Sequence, residues 1–220
     1  RDGLRLVRAG GGGGLLAGVA GAVKSLNPAA RVIGVQTAAA TAASAALAAG
    51  GPVTVETSPT LADGARVARV GAHVFPLLTR YVDKIVTVDE DRIARAMLLL
   101  LERRRIVAEG AGALGLAALL DGGLPELAGR RVVVVVSGGN LDSNLLGRVI
   151  DQGLVRSGRI WRIAVVLPDR PGSLVGLLER LARREANVLT IAHDRLGHDL
   201  PPDRTRVHLE LETMDARQVA

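Results

Sequence analysis

The chain has 220 residues, of which 48% are hydrophobic, so it can bury one large core or two small ones. It contains no cysteine, which excludes disulfides, thiolate metal sites and a cysteine nucleophile. Since no signal peptide and no run of about 18 strongly apolar residues occurs, we predict a cytoplasmic protein that does not enter membranes.

The net charge of +6 comes almost wholly from scattered arginines, because Lys24 and Lys84 are the only lysines. The aromatic residues are only three, namely Phe75, Tyr81 and Trp161. A nucleic-acid site needs a basic stripe interleaved with aromatic platforms. We therefore predict that the chain has no nucleic-acid partner.

Short apolar runs alternate with helical patterns up to residue 156, which is typical of parallel strands joined by helices. The last apolar run, Val132–Val136, lacks alternation and is therefore predicted to be a central strand covered on both faces. Asp89 is predicted to cap a helix. The other strands are predicted at Leu4–Val7, Arg31–Val35 and Lys84–Val88. The helices are predicted at Leu15–Leu26, Thr41–Ala49, Arg92–Arg103, Ala111–Leu120 and from Asn144 to Arg156.

The alternation of strands and helices changes after Ser157-Gly158. This dipeptide predicts a linker at residues 157–160. Ser173 is predicted to cap a helix that runs through Arg184. This second part is a βαββα piece of a ferredoxin-like unit. We therefore predict one domain over residues 1–156 and a second over residues 161–220. The strands of the second are predicted at Arg162–Leu167, Asn187–His193 and Arg206–Glu212, and the start of a helix at Asp215–Ala220.

Two glycine-rich turns follow predicted strands, which is where open α/β sheets bind ligands. The first is Gly10–Gly14, and the second is Ser137-Gly138-Gly139-Asn140. Glycines let backbone N–H groups approach an anion, and a following helix adds its positive end. The first turn is predicted to cradle a phosphate and the second to form another wall of the same crevice. The alternatives are ordinary tight turns, with Ser137 as a helix N-cap.

Four motifs stand out along the chain: Gly11-Gly12-Gly13-Gly14-Leu15, Leu61-Ala62-Asp63-Gly64, Glu109-Gly110-Ala111-Gly112-Ala113 and Ser137-Gly138-Gly139-Asn140. Their order and spacing resemble those of threonine ammonia-lyases, pyridoxal-phosphate enzymes of the tryptophan-synthase-β type. A fifth motif, Asp169–Leu174, resembles the opening of a regulatory ACT domain. The resemblance implies an α/β fold: the large-domain portion of pyridoxal-phosphate fold-type II, followed by a truncated ferredoxin-like ACT domain.

The resemblance implies a role for each motif around pyridoxal 5'-phosphate. Ser137 would face the pyridine nitrogen as a neutral hydroxyl, and Gly138 would shape its turn. Glu109 would lie near the ring; the alternative is a solvated acid at a helix start. Gly64 would line the crevice; the alternative is a simple turn. The cofactor phosphate would be bound by the backbone amides of Gly11, Gly12, Gly13, Gly14 and Leu15.

The family's Schiff-base lysine, in a Ser-Phe-Lys-x-Arg-Gly-Ala stretch, is missing from this sequence. Lys24 and Lys84 lie in other contexts and are predicted to face solvent. Because the chain opens on Arg1 in what reads like the middle of a domain, we expect it to be a fragment. We expect a fragment without this lysine to have no catalytic turnover.

Two departures from the family pattern concern buried polar positions. Arg8 stands where relatives carry an apolar residue, and a buried arginine is costly unless it is paired, which leaves the burial of this strand open. Gln36 occupies the position of a glutamate that binds a cation in some relatives, so we predict no metal ion. The histidines show no ligand spacing.

For the parent protein, the resemblance implies deamination of L-threonine to 2-oxobutanoate and ammonia, with L-serine as a secondary substrate. The alternatives are a serine ammonia-lyase, a serine racemase or a 3-hydroxyaspartate ammonia-lyase of the same family. A further alternative is a non-catalytic, amino-acid-sensing ACT module.

The resemblance to ACT domains also implies a homodimer or homotetramer with an amino-acid effector pocket. An ordinary turn in a domain that only dimerises is the alternative. The effector residues would be Asp169, Pro171, Gly172, Ser173 and Leu174.

Overall fold

The computed structural model describes residues 4–195 and 199–214, and it divides into two compact units between Leu146 and Gly147. The strands are β1 (Arg5–Ala9), β2 (Arg31–Thr37), β3 (Lys84–Val88), β4 (Val132–Val134), β5 (Ile160–Pro168), β6 (Asn187–Asp194) and β7 (Arg204–Glu212). The α-helices are α1 (Gly14–Leu26), α2 (Ala42–Ala49), α3 (Phe75–Tyr81), α4 (Glu90–Arg104), α5 (Gly110–Ala117), α6 (Ser143–Arg156) and α7 (Ser173–Ala182). The predicted domain boundary at residues 157–160 stays a prediction, and the predicted helix at Asp215–Ala220 lies outside the described residues.

The first unit is built on a parallel sheet with the strand order β3-β2-β1-β4. Leu6 of β1 pairs with Val32 of β2 on one side and with Val133 of β4 on the other. The chain therefore moves outward from β1 to β3 and returns to the opposite side of β1 with β4. The loops after β1 and β4 leave the sheet side by side at this switch point, where α/β sheets bind ligands.

The helices of the first unit follow from apolar spacing and from their caps. In α4 the buried residues recur at intervals of three and four, which places one apolar stripe against the core. The Asp89 carboxylate accepts a hydrogen bond from the Arg92 N–H at 2.8 Å, so its predicted role as N-cap is confirmed. The buried stripe of α4 consists of Ile93, Ala96, Met97 and Leu100.

In the first unit one expectation is wrong and one helix was not predicted. Within the described ranges β4 is an edge strand rather than a central one, and Val133 is 45% exposed. An apolar run without alternating polar residues suits a central strand that is buried on both faces. In the described residues, however, no strand pairs with the outer side of β4. The helix α3 was not predicted, because it has only seven residues and carries Pro76 in its first turn.

The second unit has an antiparallel sheet with the order β5-β7-β6. The strand β7 lies between β5 and β6, as expected for the βαββ portion of the predicted ferredoxin-like unit. The left-handed Gly172, with φ 90°, occupies the N-cap of α7, so the predicted cap at Ser173 is wrong and Ser173 is the first helical residue. One apolar cluster joins the sheet to α7: Val207, Leu209 and Leu211 pack with Leu174, Leu177, Leu178 and Leu181.

None of the helices in the described ranges combines the length and the apolar character that a membrane crossing requires.

Candidate cofactor site

The loops after β1 and β4 border one crevice of about 170 Å³ in the first unit. Both glycine-rich turns contribute to it, together with the short 3-10 helix Asp63–Ala65 and the start of α5. The structure thus brings together eight of the nine residues predicted to bind the cofactor. The lining residues are Arg8, Ala9, Gly11, Gly12, Gly13, Gly14, Leu15, Leu16, Gly64, Ala65, Glu109, Ala111 and Ser137.

The start of α1 offers this crevice backbone donors that no side chain caps in the described part of the chain. Gly13 is the N-cap residue and provides no side-chain cap. The first bond of the helical ladder runs from the Ala17 N–H to the Gly13 carbonyl oxygen at 2.8 Å. The N–H groups of Gly14, Leu15 and Leu16 therefore precede the ladder, and such groups bind anions with the support of the helix dipole.

The backbone geometry of the loop requires glycine at two positions. Gly13 has φ 85°, and a Cβ atom there would lie 2.8 Å from Leu78 Cδ1. A Cβ atom at Gly11 would lie 2.7 Å from the Cα atom of Ala65. Gly14, in contrast, has no heavy atom within 4 Å of an added Cβ, so open space lies beside the first helical amide.

Gly138 is the one predicted cofactor residue that does not line the crevice. It has φ 83°, and a Cβ atom there would overlap the Glu109 carboxylate, 1.9 Å from Oε1. The Glu109 N–H donates to the Gly138 carbonyl oxygen at 3.2 Å. Gly138 therefore makes room for the carboxylate of Glu109, which does reach the crevice.

The glycines of α5 allow two backbone segments to touch the helix, a role that sequence reasoning missed. A Cβ atom at Gly112 would lie 2.0 Å from the Ser137 carbonyl oxygen. A Cβ atom at Gly110 would lie 2.2 Å from the Leu61 carbonyl oxygen. The glycine spacing within the Glu109–Ala113 motif was the signal that could have indicated this close packing.

Glu90 anchors the segment that carries Gly64, and the sequence analysis did not single it out. Its Oε2 accepts a hydrogen bond from the Leu61 N–H at 2.7 Å. Its Oε1 accepts from the hydroxyl groups of Thr60 and Thr37, the latter at 3.2 Å. Glu90 is the first residue of α4, where a carboxylate also interacts favourably with the helix dipole.

Arg8 is buried, with 3% of its surface exposed, so β1 is an interior strand and the doubt about its burial is removed. Its Nη2 donates a long hydrogen bond of 3.5 Å to Ser137 Oγ. Its Nε is buried without a hydrogen-bond partner in the described part of the chain. Burial lowers the pKa of Arg8 from its ordinary value, because desolvation disfavours the cation.

Ser137 is not a helix N-cap, which was the alternative role for this residue. The next helix, α6, begins six residues later at Ser143. There Asp142 Oδ1 accepts hydrogen bonds from the Asn144 and Leu145 N–H groups at 2.8 and 3.1 Å. Ser137 instead lines the crevice, with its hydroxyl in contact with Arg8.

Neither lysine lines the crevice, and the expectation that both face solvent is wrong for Lys24. The Lys24 side chain is only 19% exposed, and its Nζ lies 2.9 Å from Asp83 Oδ2. Lys84 is 43% exposed and pairs with Glu126 at 2.6 Å. Both ammonium groups thus have carboxylate partners away from the glycine-rich turns.

No metal centre is indicated by the described residues, among which no three His, Asp or Glu side chains cluster suitably. Gln36 is buried, and its amide nitrogen donates to the hydroxyl groups of Ser44 and Thr87. Its position thus serves a local network of neutral hydrogen bonds. The absence of a metal ion stays a prediction.

A second crevice, of about 310 Å³, lies within the second unit. The five predicted effector residues Asp169, Pro171, Gly172, Ser173 and Leu174 all line it. Arg195, which the sequence analysis did not select, also lines it, and its Nε lies 3.1 Å from the Asp169 carboxylate. Arg170, His193 and Thr205 are further polar residues of its lining.

The donors of the first crevice fit pyridoxal 5'-phosphate. The uncapped amides at the start of α1 suit a phosphate dianion. The Ser137 hydroxyl can donate a hydrogen bond to an unprotonated ring nitrogen. Glycine at positions 11–14 leaves room for the cofactor's phosphate to approach the backbone.

Comparisons with known proteins agree with this chemistry. A family model described as "Pyridoxal-phosphate dependent enzyme" matches residues 5–138. The L-threonine ammonia-lyase of Thermotoga maritima is 46% identical over 209 residues, which cover 95% of this chain and 52% of that protein. The chain thus spans about half the length of the curated relatives it matches.

Two solved structures are similar to this chain over about two thirds of its length. The processed form of threonine deaminase isoform 2 from Solanum lycopersicum is 30% identical, with a TM-score of 0.63, over 69% of this chain and 44% of that one. The serine racemase of maize is 32% identical, with a TM-score of 0.59, over 69% of this chain and 47% of that one. The chain belongs to the family of pyridoxal-phosphate-dependent enzymes.

Proposed function

We propose that the protein carrying this chain deaminates L-threonine to 2-oxobutanoate and ammonia, with pyridoxal 5'-phosphate as cofactor. The observation that carries the proposal is that uncapped glycine-loop amides and the Ser137 hydroxyl face one crevice. Similarity to L-threonine ammonia-lyases over 95% and 92% of the chain supports threonine as the substrate.

The chain's own residues would anchor the cofactor and set its electronic state. The amides from Gly11 to Leu15 would hold the phosphate while substrates are exchanged at the other end of the ring. When bound, pyridoxal phosphate withdraws electrons from the attached amino acid. Ser137, as a neutral donor, would leave the ring nitrogen unprotonated, and this weaker electron sink suits loss of a β-hydroxyl group.

The lysine that binds the cofactor covalently would come from outside these 220 residues. The support is that Lys24 and Lys84 are paired with Asp83 and Glu126 and do not line the crevice. In a protein of the relatives' full length, the other half would supply this lysine and most contacts to the substrate carboxylate. This chain by itself would then lack turnover.

Substrate assays on the full-length protein distinguish the candidate activities. Threonine deaminase activity releases 2-oxobutanoate and ammonia in equal amounts, serine ammonia-lyase activity releases pyruvate, and racemase activity forms D-serine. We expect threonine to have the highest kcat/KM, with serine second. The proposal fails if the purified protein binds pyridoxal phosphate but forms no 2-oxobutanoate from threonine.

We further propose that the second unit is an ACT domain whose crevice binds an amino-acid effector. Its support is the position of Asp169–Leu174 beside Arg195. The left-handed Gly172 keeps the start of α7 free of a side-chain cap, so the helix can receive a carboxylate. A branched-chain amino acid such as isoleucine is the expected effector, which would place the enzyme in isoleucine biosynthesis under allosteric control.

Calorimetric titration of the full-length protein with isoleucine and valine tests the effector proposal. We expect saturable binding and a change in threonine kinetics, because an effector acts only by favouring one state over another. Gly172→Asp should abolish both the binding and the kinetic change, since it places a negative charge at the helix start that is proposed to receive the effector's carboxylate. A response that survives this substitution would contradict the site. The cytoplasmic location and the homodimer or homotetramer stay predictions.

A further inference from the structure

Arg8 is a buried cation without an ionised partner in the part of the chain that the structure describes. It is 3% exposed, its Nη2 contacts the neutral Ser137 hydroxyl, and its Nε has no partner among the described residues. Glu109 also lines the crevice, but no ion pair joins it to Arg8 within the described ranges. A charge in this environment costs free energy unless it is compensated, so Arg8 is by itself an unfavourable residue at this buried strand position.

The contact to Ser137 constrains how that hydroxyl can act. An arginine guanidinium only donates hydrogen bonds, and it stays protonated even where burial lowers its pKa. The hydrogen bond from Nη2 therefore occupies a lone pair of Ser137 Oγ. The hydroxyl hydrogen is then left to donate to another acceptor in the crevice.

We propose that Arg8 is a positioning residue that holds Ser137 as a hydrogen-bond donor to the cofactor's ring nitrogen and, through its charge, keeps that nitrogen unprotonated. This inference rests on the proposed function, because it needs pyridoxal phosphate in the crevice. A fixed cation beside the nitrogen disfavours a second positive charge there. The otherwise uncompensated charge of Arg8 thereby has a chemical role.

The charged groups around the nitrogen are few. Arg8 on β1 and Glu109 before α5 are the two charged residues among those that line the crevice. Asp63 lies on the neighbouring 3-10 helix, and its carboxylate is paired with Arg66 at 2.8 Å. Glu109 favours protonation of the nitrogen and Arg8 opposes it, so removing the Arg8 charge leaves Glu109 unopposed.

Nitrogen-15 NMR of the bound cofactor tests this inference directly. The full-length holoprotein is loaded with pyridoxal 5'-phosphate labelled at the ring nitrogen, and the nitrogen chemical shift is followed from about pH 6 to pH 9. Arg8→Met removes the charge and keeps an extended apolar side chain. Arg8→Lys keeps the charge, and Arg5→Met on the same strand is a matched control outside the crevice lining.

In the unaltered protein the nitrogen should stay unprotonated over this range. Arg8→Met should raise the midpoint of its protonation by roughly one to two pH units, as expected for one nearby buried charge, so that the variant's nitrogen becomes protonated within the measured range. In the Arg8→Lys and Arg5→Met variants the nitrogen should stay unprotonated over this range, as in the unaltered protein.

Two results would overturn the inference while leaving the proposed deamination of threonine and the bound cofactor intact. One is a protonated ring nitrogen at about pH 8 in the unaltered protein, which decides the matter even if a variant fails to fold. The other is an equal midpoint in the Arg8→Met, Arg5→Met and unaltered proteins. Failure of the unaltered protein to bind the cofactor would instead contradict the proposed function, and the inference with it.

Discussion

The carbonyl oxygen of Ser137 would lie 2.0 Å from a Cβ atom at Gly112, so the turn after β4 rests directly on the backbone of α5. This contact joins two motifs that are 25 positions apart in the sequence. It fixes where the Ser137 hydroxyl enters the crevice. The position of the predicted ring-nitrogen donor thus depends on a helical glycine that does not itself line the crevice.

Gly112→Ala should destabilise the first unit by about 2 kcal/mol or more, because the new methyl group must displace backbone atoms. The matched control is Gly18→Ala in α1, where an added Cβ meets no heavy atom within 4 Å. That control should stabilise the protein by roughly 0.5–1 kcal/mol, from helix propensity alone. Urea unfolding of both variants measures the difference. Equal effects of the two substitutions would contradict the close packing.

Glu90→Gln should cost about 1–3 kcal/mol of stability and loosen the segment that carries Gly64. The reason is that an amide nitrogen would replace a carboxylate oxygen that now accepts from donor groups of Thr37, Thr60 or Leu61. Thermal unfolding and proteolysis near residue 64 measure the two effects. The exposed Glu56→Gln is the control and should change stability by less than about 0.5 kcal/mol. A Glu90→Gln variant as stable as this control would contradict the anchoring role.

Local signals in the sequence predicted most of the fold. The apolar period of α4 and the Asp89 cap identified that helix, and the glycine-rich turns identified the loops that border the crevice. Arg8 was noted only as a cost, because its contact with Ser137 joins residues 129 positions apart. Glu90 was missed for the same reason, because its partners Thr37, Thr60 and Leu61 lie 29 to 53 positions away in the sequence.

Asp83 should make stability depend on pH in the acidic range. Burial alone would raise the pKa of Asp83, but the hydrogen bond from the Val32 N–H and the Lys24 ammonium outweigh it, so the pKa lies below its ordinary value. The stabilisation is therefore fully present above the unfolded pKa of about 3.9 and is lost as the pH falls through the folded value.

Asp83→Asn should consequently lower the Tm at neutral pH, and its Tm should approach that of the unaltered protein below about pH 3. Asp63→Asn is the control, because the Asp63 side chain is 75% exposed. Melting curves over this pH range measure both variants. A Tm deficit of Asp83→Asn that stayed constant down to the most acidic pH would rule out the charge interaction as its cause.

Ser137→Ala in the full-length protein should lower turnover more than it weakens cofactor binding. Ser137 lines the crevice and its hydroxyl contacts Arg8, whereas the predicted phosphate donors are backbone amides that the substitution leaves in place. Loss of one hydrogen bond to a buried partner costs roughly 1–3 kcal/mol. Threonine kinetics at saturating cofactor, together with a cofactor titration, separate the two effects. Turnover equal to that of the unaltered protein would contradict the role of Ser137.

The most direct test of the account is a crystal structure of the full-length protein grown with pyridoxal 5'-phosphate. We predict that the phosphate lies within hydrogen-bonding distance of backbone N–H groups between Gly11 and Leu15, at the uncapped start of α1. The ring nitrogen should face Ser137 Oγ. A cofactor phosphate bound elsewhere, with the glycine-rich crevice empty, would contradict the account.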